Sequence, residues 1–428
     1  MKNGDMTQGQ NDSRVLYLTY DGLTDPLGQA QILPYLTNLA LEGYKISIVS
    51  FEKKINIHLQ SGIQTVCFKH GIEWCPLVYH KRPRIVSTIF DLWHAWRVAS
   101  SLIRKHRFQI VHCRSYLMAM VGLRTKRKFN VPFIFDMRGF WTDERLDGGL
   151  WTLQNPIDRL MYRFFKRQER ILLQEADRIV CLTEKAAQVI AEWGSYGSVT
   201  VIPCCVDENL FNPGKVDRTR RDRLMEKLGL RGRFVVLYLG SVGTWYMLNE
   251  MIDFFQVVNR RIPSATFLIV SNDPPTTISR VVEAKGVDLK NVVVTRSKRS
   301  EVPLFLSLAD FSIFFIKPKF SKQASSPTKL AESLSMGVPV ITNSGVGDID
   351  NLFSENNFGL LIDRFAESEY EHAVDLMMRY KPAADLSAVA GQKFSLSSGV
   401  ALYEEVYRSL LPDKGHIQTS LDHGTPKK

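Results

Sequence analysis

The run Ser325-Ser326-Pro327-Thr328-Lys329-Leu330-Ala331-Glu332, continuing through Gly337 to Ile341, sets small and hydroxyl residues where a helix would begin and a glycine where it would stop. The pattern predicts a polar loop, a helix of about two turns and a buried strand, Val338-Pro339-Val340-Ile341. The free N–H groups of a helix start point outward and suit an anion. Lys329 adds a positive charge in the first turn, where the helix dipole favours acids, so the arrangement suits a diphosphate better than it suits the helix. Ser326 and Thr328 offer hydroxyls to the same anion, and Glu332, three residues past Lys329, can accept hydrogen bonds from a ribose. An ordinary capped helix uses similar residue types and is the plain alternative.

A second anion site is legible at Gly240-Ser241-Val242-Gly243-Thr244, between an apolar strand and the helix-like stretch Met247 to Asn259. Glycines there let backbone amides approach an anion closely, although a tight turn would need the same residues. Other polar residues stand just past strand ends, namely Arg114, Asp136 with Arg138, Asn272, Arg296, Lys317 and Lys319. Asp136 and Arg138 can orient a hydroxyl or bind a phosphate, or can form an ion pair that holds a loop. Asp348-Ile349-Asp350 has the spacing of a metal-binding pair, but it follows a Ser-Gly-Val-Gly turn, and capping of the next helix by Asp348 is the better account.

These residues need a frame. Apolar strands at Arg14–Thr19, Lys45–Ser50, Ile110–Cys113, Phe133–Asp136 and Arg178–Leu182 alternate with helical stretches, and a second series runs from Phe234–Leu239 to Val338–Ile341. The alternation predicts two doubly wound parallel sheets covered on both faces, with ligands at the carboxyl ends of the strands. The expected division is a first domain over 14–205, a hinge over 206–215, a second domain over 216–393, and a helix over 394–412. Residues 1–13 and 413–428 are polar and are expected to be disordered.

The length of 428 residues suits two domains of roughly 200 residues each. No apolar run reaches the roughly 18 residues that a membrane span needs, and the N-terminus lacks a signal-peptide core, so the expectation is a cytoplasmic protein. Six cysteines without CxxC spacing read as free thiols. The formal net charge of +11 calls for an anionic partner. No nucleic-acid-binding motif is evident, so nucleic acid is not expected. Basic residues gather in the first half, including Arg104-Lys105-His106-Arg107 and Arg159, Arg163, Lys166, Arg167 and Arg170, near Trp93, Trp96, Phe164 and Phe165. A basic, aromatic-bearing face suits the anionic surface of an inner membrane, with peripheral attachment on its cytoplasmic side.

Ser326-Pro327-Thr328-Lys329 with Glu332 and Gly337 to Ile341 resembles the nucleotide-sugar signature of family 4 glycosyltransferases, of the bacterial surface-polysaccharide type. Tyr20 to Gln29, Asp136 to Trp141, Val206-Asp207 with Phe211, and Gly240 to Gly243 are similar to further segments of that family in the same order. The resemblance implies the GT-B fold and transfer, with retention, from a nucleotide-diphosphate sugar to a hydroxyl acceptor such as a lipid-linked glycan. It implies an acceptor-binding first domain, with Gly28 and Gln29 beneath the acceptor and with Arg114, Asp136 and Arg138 at the reacting centre. The donor would be held by Gly240, Ser241, Gly243, Thr244, Asn272, Arg296, Lys317, Ser326, Thr328, Lys329 and Glu332. Two departures stand out. The first of the family's two donor-site glutamates is Ala324 here, and Thr244 to Met247 carries none of the usual cations. Lys329 must then stabilise the leaving diphosphate, with no metal and no other cofactor expected. An epimerase of the same fold and a non-catalytic partner in polysaccharide assembly are the alternatives.

Overall fold

In the computed structural model, residues 13–194, 196–382 and 385–412 are described; the expectations for the chain before residue 13 and after 412 lie outside them. The first domain holds seven parallel strands, β1 (Arg14–Thr19), β2 (Lys45–Glu52), β3 (Glu73–Val78), β4 (Ile110–Arg114), β5 (Phe133–Asp136), β6 (Arg178–Cys181) and β7 (Val199–Val201). Their order is β3-β2-β1-β4-β5-β6-β7. The second domain repeats the plan with β8 (Phe234–Leu239), β9 (Ala265–Val270), β10 (Val292–Thr295), β11 (Phe311–Ile313), β12 (Val340–Asn343) and β13 (Gly359–Ile362), in the order β10-β9-β8-β11-β12-β13. β1, β8 and β9 are apolar almost without interruption and buried along nearly their whole length, as strands covered on both faces must be. In each sheet the winding reverses beside the first strand, between β1 and β4 and between β8 and β11. Such switch points open a crevice beyond the strand ends.

The chain passes between the domains twice at one place. Val206 donates to the Phe394 carbonyl at 2.9 Å, and Leu396 donates back to Val206 at 2.9 Å. Phe394 belongs to the apolar core of the second domain and Leu396 to that of the first, so Ser395 marks the return. The helix expected over 394–412 is present, starting at Leu396 and ending at Arg408, and a further helix precedes it. Leu386–Phe394 stays with the second domain, and Ser395 caps a separate helix, Leu396–Arg408, by accepting from the Ser398 N–H. That last helix packs on Leu33–Leu41 of the first domain, with Tyr403 edge-on to Tyr35 and Tyr407 edge-on to Tyr44.

The two domains also interlock across the cleft. The Thr183 hydroxyl donates to the Gln323 carbonyl at 2.7 Å. The Asp348 carboxylate accepts from the N–H groups of Glu184 and Lys185, at 2.8 and 3.1 Å. Asp348 therefore caps the helix Glu184–Trp193 of the opposite domain and makes no side-chain cap on its own helix, which corrects the sequence expectation. Asp350 completes the clasp through Lys185 at 2.8 Å. All six cysteines are free thiols.

Candidate functional site

Lys329 and the glycine loop after β8 meet, although about 90 residues separate them in the chain. Lys329 lies on the helix Thr328–Ser335, whose first turn holds no acid and whose N-cap, Pro327, makes no side-chain cap. Its ammonium sits 3.7 Å from the centroid of the Tyr246 ring. Gly240 has φ +129°, and a Cβ there would fall 2.7 Å from Lys329 Nζ, so the loop requires glycine for both conformation and space. The Tyr238 hydroxyl donates to the Ser241 carbonyl, and the Val242 N–H is taken by Asp273 at 2.7 Å. Among the described residues, the N–H groups of Ser241, Gly243 and Thr244 have no partner. Neither does any carboxylate pair with Lys329. Free amides in one loop and an ammonium without a carboxylate partner against that loop are groups that suit an anion.

Glu332, on the same helix, is nearly buried and is held by Arg299 Nη1. Arg299 in turn lies over the Phe211 ring at 4.7 Å. No spacing in the sequence points to Arg299, because it meets Glu332 only through the fold. Ser326 accepts from the Cys204 N–H of the first domain at 3.1 Å, which fixes the loop ahead of the helix. Asn272 and Arg296 are exposed beyond β9 and β10. Lys317 faces a cavity of about 310 Å³ lined also by Val242, Thr244, Met247, Glu250 and Thr277. Among the described residues, no hydrogen bond or ion pair joins any of these three to Lys329 or Glu332.

At the matching switch point of the first domain, the polar groups are consumed internally. Glu52 is buried and accepts from the N–H groups of Leu23 and Thr24, at 2.8 and 3.1 Å, and from the Thr24 and Ser50 hydroxyls. Gly22 could not carry a Cβ, which would fall 2.7 Å from Glu52 Oε2. Gly28 packs against the Gly22 carbonyl at 2.1 Å from a would-be Cβ, and Gln29 donates its amide to the Thr24 carbonyl at 3.0 Å. Both residues thus hold their own loop together.

Arg114, Asp136 and Arg138 do converge, but in a buried network. Asp136 is 0% exposed and accepts from the Tyr403 hydroxyl at 2.9 Å, while Arg138 Nη1 lies 3.9 Å from its other oxygen. His112 spans the Tyr407 hydroxyl at 2.7 Å and Asp136 at 3.4 Å. Arg114 pairs with Asp21 at 3.2 Å. Burial alone would push the Asp136 carboxyl up, but the Arg138 charge and the His112 hydrogen bond hold it below the ordinary carboxylate range. Burial pushes the His112 imidazole down, and the bond to Asp136 offsets this only in part. An enclosed Asp136 cannot touch a substrate in this conformation, so the reading of Asp136 as an acceptor-orienting group gives way to a structural one. Tyr403 and Tyr407 come from the last helix, a partnership invisible in local sequence.

Ala324, at the missing acid, is 2% exposed and packs with the apolar core of the first domain, where a carboxylate would be desolvated. Two residues earlier, Lys322 pairs with Glu144 of the opposite domain at 2.5 Å and lies 3.7 Å from the Trp245 ring centroid. Nearby, the Ser321 N–H donates to Asp147 at 3.0 Å, and Phe140 stacks on Phe320.

Known proteins show the same construction. A family model described as Glycosyltransferase Family 4 matches residues 36–210, and one described as Glycosyl transferases group 1 matches residues 233–379. The alpha-D-kanosaminyltransferase of Streptomyces kanamyceticus is 21% identical over 197 residues, which is 45% of this chain and half the length of that relative. Among solved structures, sucrose-phosphate synthase from Thermosynechococcus elongatus superposes with a TM-score of 0.70 at 16% identity, covering 93% of this chain and 99% of that one. Anabaena HepE in complex with UDP and glucose gives a TM-score of 0.68 at 13% identity, covering 93% and 100%. At these identities the likeness is one of fold, and the fold is GT-B. With successive family models matched to its first and second domains, the chain belongs to glycosyltransferase family 4.

Proposed function

We propose that the protein transfers a sugar from a nucleotide-diphosphate sugar to a hydroxyl of a lipid-linked glycan, with retention, at an anionic membrane surface on the cytoplasmic side. The observation that carries the reading is Lys329 against Gly240 and Tyr246 of the loop after β8, whose Ser241, Gly243 and Thr244 amides have no partner among the described residues. These fixed dipoles and the ammonium would take up the charge that develops on the departing diphosphate, which needs no reorganisation at the moment of reaction. Glu332, oriented by Arg299, would accept from the ribose. Domain closure about the double crossing at Val206 and Ser395 would bring the acceptor to the donor and exclude water.

The membrane part of the proposal draws on the first domain. Ile85, Val86, Ile89, Phe90 and Trp93 are exposed on the helix Arg84–Lys105, as are Ile157, Leu160 and Phe164 on Pro156–Glu175. Arg97 lies over Trp93, while Trp96 is covered by Arg124 and Lys128 and Phe165 is part of the core. An exposed apolar stripe with basic neighbours suits an anionic bilayer surface. No helix among the described residues is long and apolar enough to cross a membrane.

Metal independence is part of the same proposal. The Asp348 and Asp350 carboxylates are already engaged by N–H groups and Lys185, and turnover should persist in EDTA. The decisive experiment is a thermal-shift panel of nucleotide sugars, because a ligand that binds only the native state raises its stability. The best ligand should then be consumed only when a lipid-linked acceptor is added. No shift with any nucleotide sugar would overturn the proposal, and rapid epimer formation without an acceptor would replace it with an epimerase.

A further inference from the structure

The glycosyl group of a nucleotide sugar is ringed by hydroxyls, and a site that discriminates among such groups needs acceptors placed for them. On the second domain's side of the cleft, the stretch from Phe320 to Ser326 offers no carboxylate, and Ala324 is walled in by the first domain. A carboxylate does stand there, supplied from the other side. Glu144, on the first-domain helix Trp141–Asp147, reaches across to Lys322 and keeps 32% of its side chain exposed, whereas Lys322 is 7% exposed. Lys322 rests on Trp245 and Lys329 on the adjacent Tyr246, each 3.7 Å from its ring centroid. The Glu144 carboxylate is thus tied through Lys322 and Trp245 to the same short segment, Trp245-Tyr246, on which Lys329 rests, whereas Glu332 is engaged by Arg299.

We propose that Glu144 recognises the transferred sugar, accepting hydrogen bonds from its hydroxyls, and that Lys322 is the positioning residue that holds the carboxylate across the cleft. The donor site is then completed only when the two domains face each other as they do here. This rests on the transferase reading. A carboxylate that merely clasps the domains makes a different prediction, because a clasp affects every ligand of the cleft alike.

The test is Glu144→Gln, which keeps the shape and one acceptor while removing the charge. Asp147→Asn, on the same helix and bonded to the Ser321 N–H, is the control for loosened domain contact. Binding of UDP and of UDP-glucose is measured by calorimetry for each protein, with the guanosine and thymidine diphosphates and their hexose derivatives as further probes. For the series that the wild type binds, Glu144→Gln should weaken the nucleotide sugar about tenfold or more, as loss of a charged hydrogen bond does, and leave the bare diphosphate within about twofold. The donor KM should rise more than kcat falls, and Asp147→Asn should keep the ratio of the two affinities. Lys322→Met, which releases the carboxylate without burying a charge, should lower that ratio in the same direction. Equal weakening of both ligands by Glu144→Gln, or no change in either, would overturn the proposal while the transferase reading stands. A wild type that binds no member of any series would remove both.

Discussion

The two switch-point loops are built from the same parts and put to opposite use. After β1, the N–H groups of Leu23 and Thr24 turn inward onto Glu52, an acid that the domain carries within itself. After β8, the N–H groups of Ser241, Gly243 and Thr244 have no such partner among the described residues, and a lysine lies against Gly240 of the same loop. Glycines appear in both, at Gly22 and Gly28 and at Gly240, and in each case a Cβ would collide with a neighbour. A glycine-bearing loop at a switch point is therefore a geometric opportunity. Whether it binds an anion depends on whether the fold already supplies one.

Substitutions can break this contrast, and the largest effect belongs to the loop that is filled. Glu52→Ala orphans two buried N–H groups and should cost on the order of 3 kcal/mol of folding stability, read from denaturant unfolding. Lys329→Ala should behave in the reverse manner. It removes no buried partner, so the midpoint of unfolding should hardly move, while turnover falls about a hundredfold or more. Equal stability losses at the two positions would erase the comparison.

The buried network sharpens it further through pH. His112 has its folded pKa lowered by burial, so between the unfolded value, near 6.5, and the lower folded one, the unfolded chain binds more protons. The stabilisation is present above that window and is lost as pH falls through it, with a slope of at most about 1.4 kcal/mol per pH unit. Asp136, also lowered, adds a loss of the same sign at more acidic pH. His112→Gln should flatten the upper part of the profile, and an unchanged slope below pH 6.5 would show that the network does not carry it. The smallest effect is expected at the cross-domain cap. Asp348→Ala should cost about 1 kcal/mol and loosen the clasp between the domains, seen as faster amide exchange at Glu184 and Lys185.

Local order was the readable part of this chain. The helix start at Ser326 to Lys329 and the turn at Gly240 to Thr244 are legible because a cap or a tight turn needs particular residues at neighbouring positions. The alternation of strand and helix reveals the two sheets for the same reason. Arg299, Glu144 and Lys322 carry no such mark, since each gains its meaning from a partner far away in sequence. Asp348 shows the limit most plainly. Its position before a helix is that of an N-cap, and it does cap a helix, but that helix lies in the opposite domain. Asp136 and Arg138 stand at a strand end, where ligands bind, and only the arrival of Tyr403 turns them inward.

That last helix also sets an order of assembly. The apolar core of the first domain includes Leu396, Val400, Tyr403, Val406 and Tyr407, whereas the second domain is built from an unbroken stretch that ends at Phe394. During synthesis the later domain can close before the earlier one has received its final layer. One of the two apolar clusters of the half made first, and the cover that Tyr403 and Tyr407 give Asp136 and His112, therefore depend on residues 396–408. Where N-terminal domains usually fold as units before the rest is made, this one receives part of its core from residues that follow the second domain.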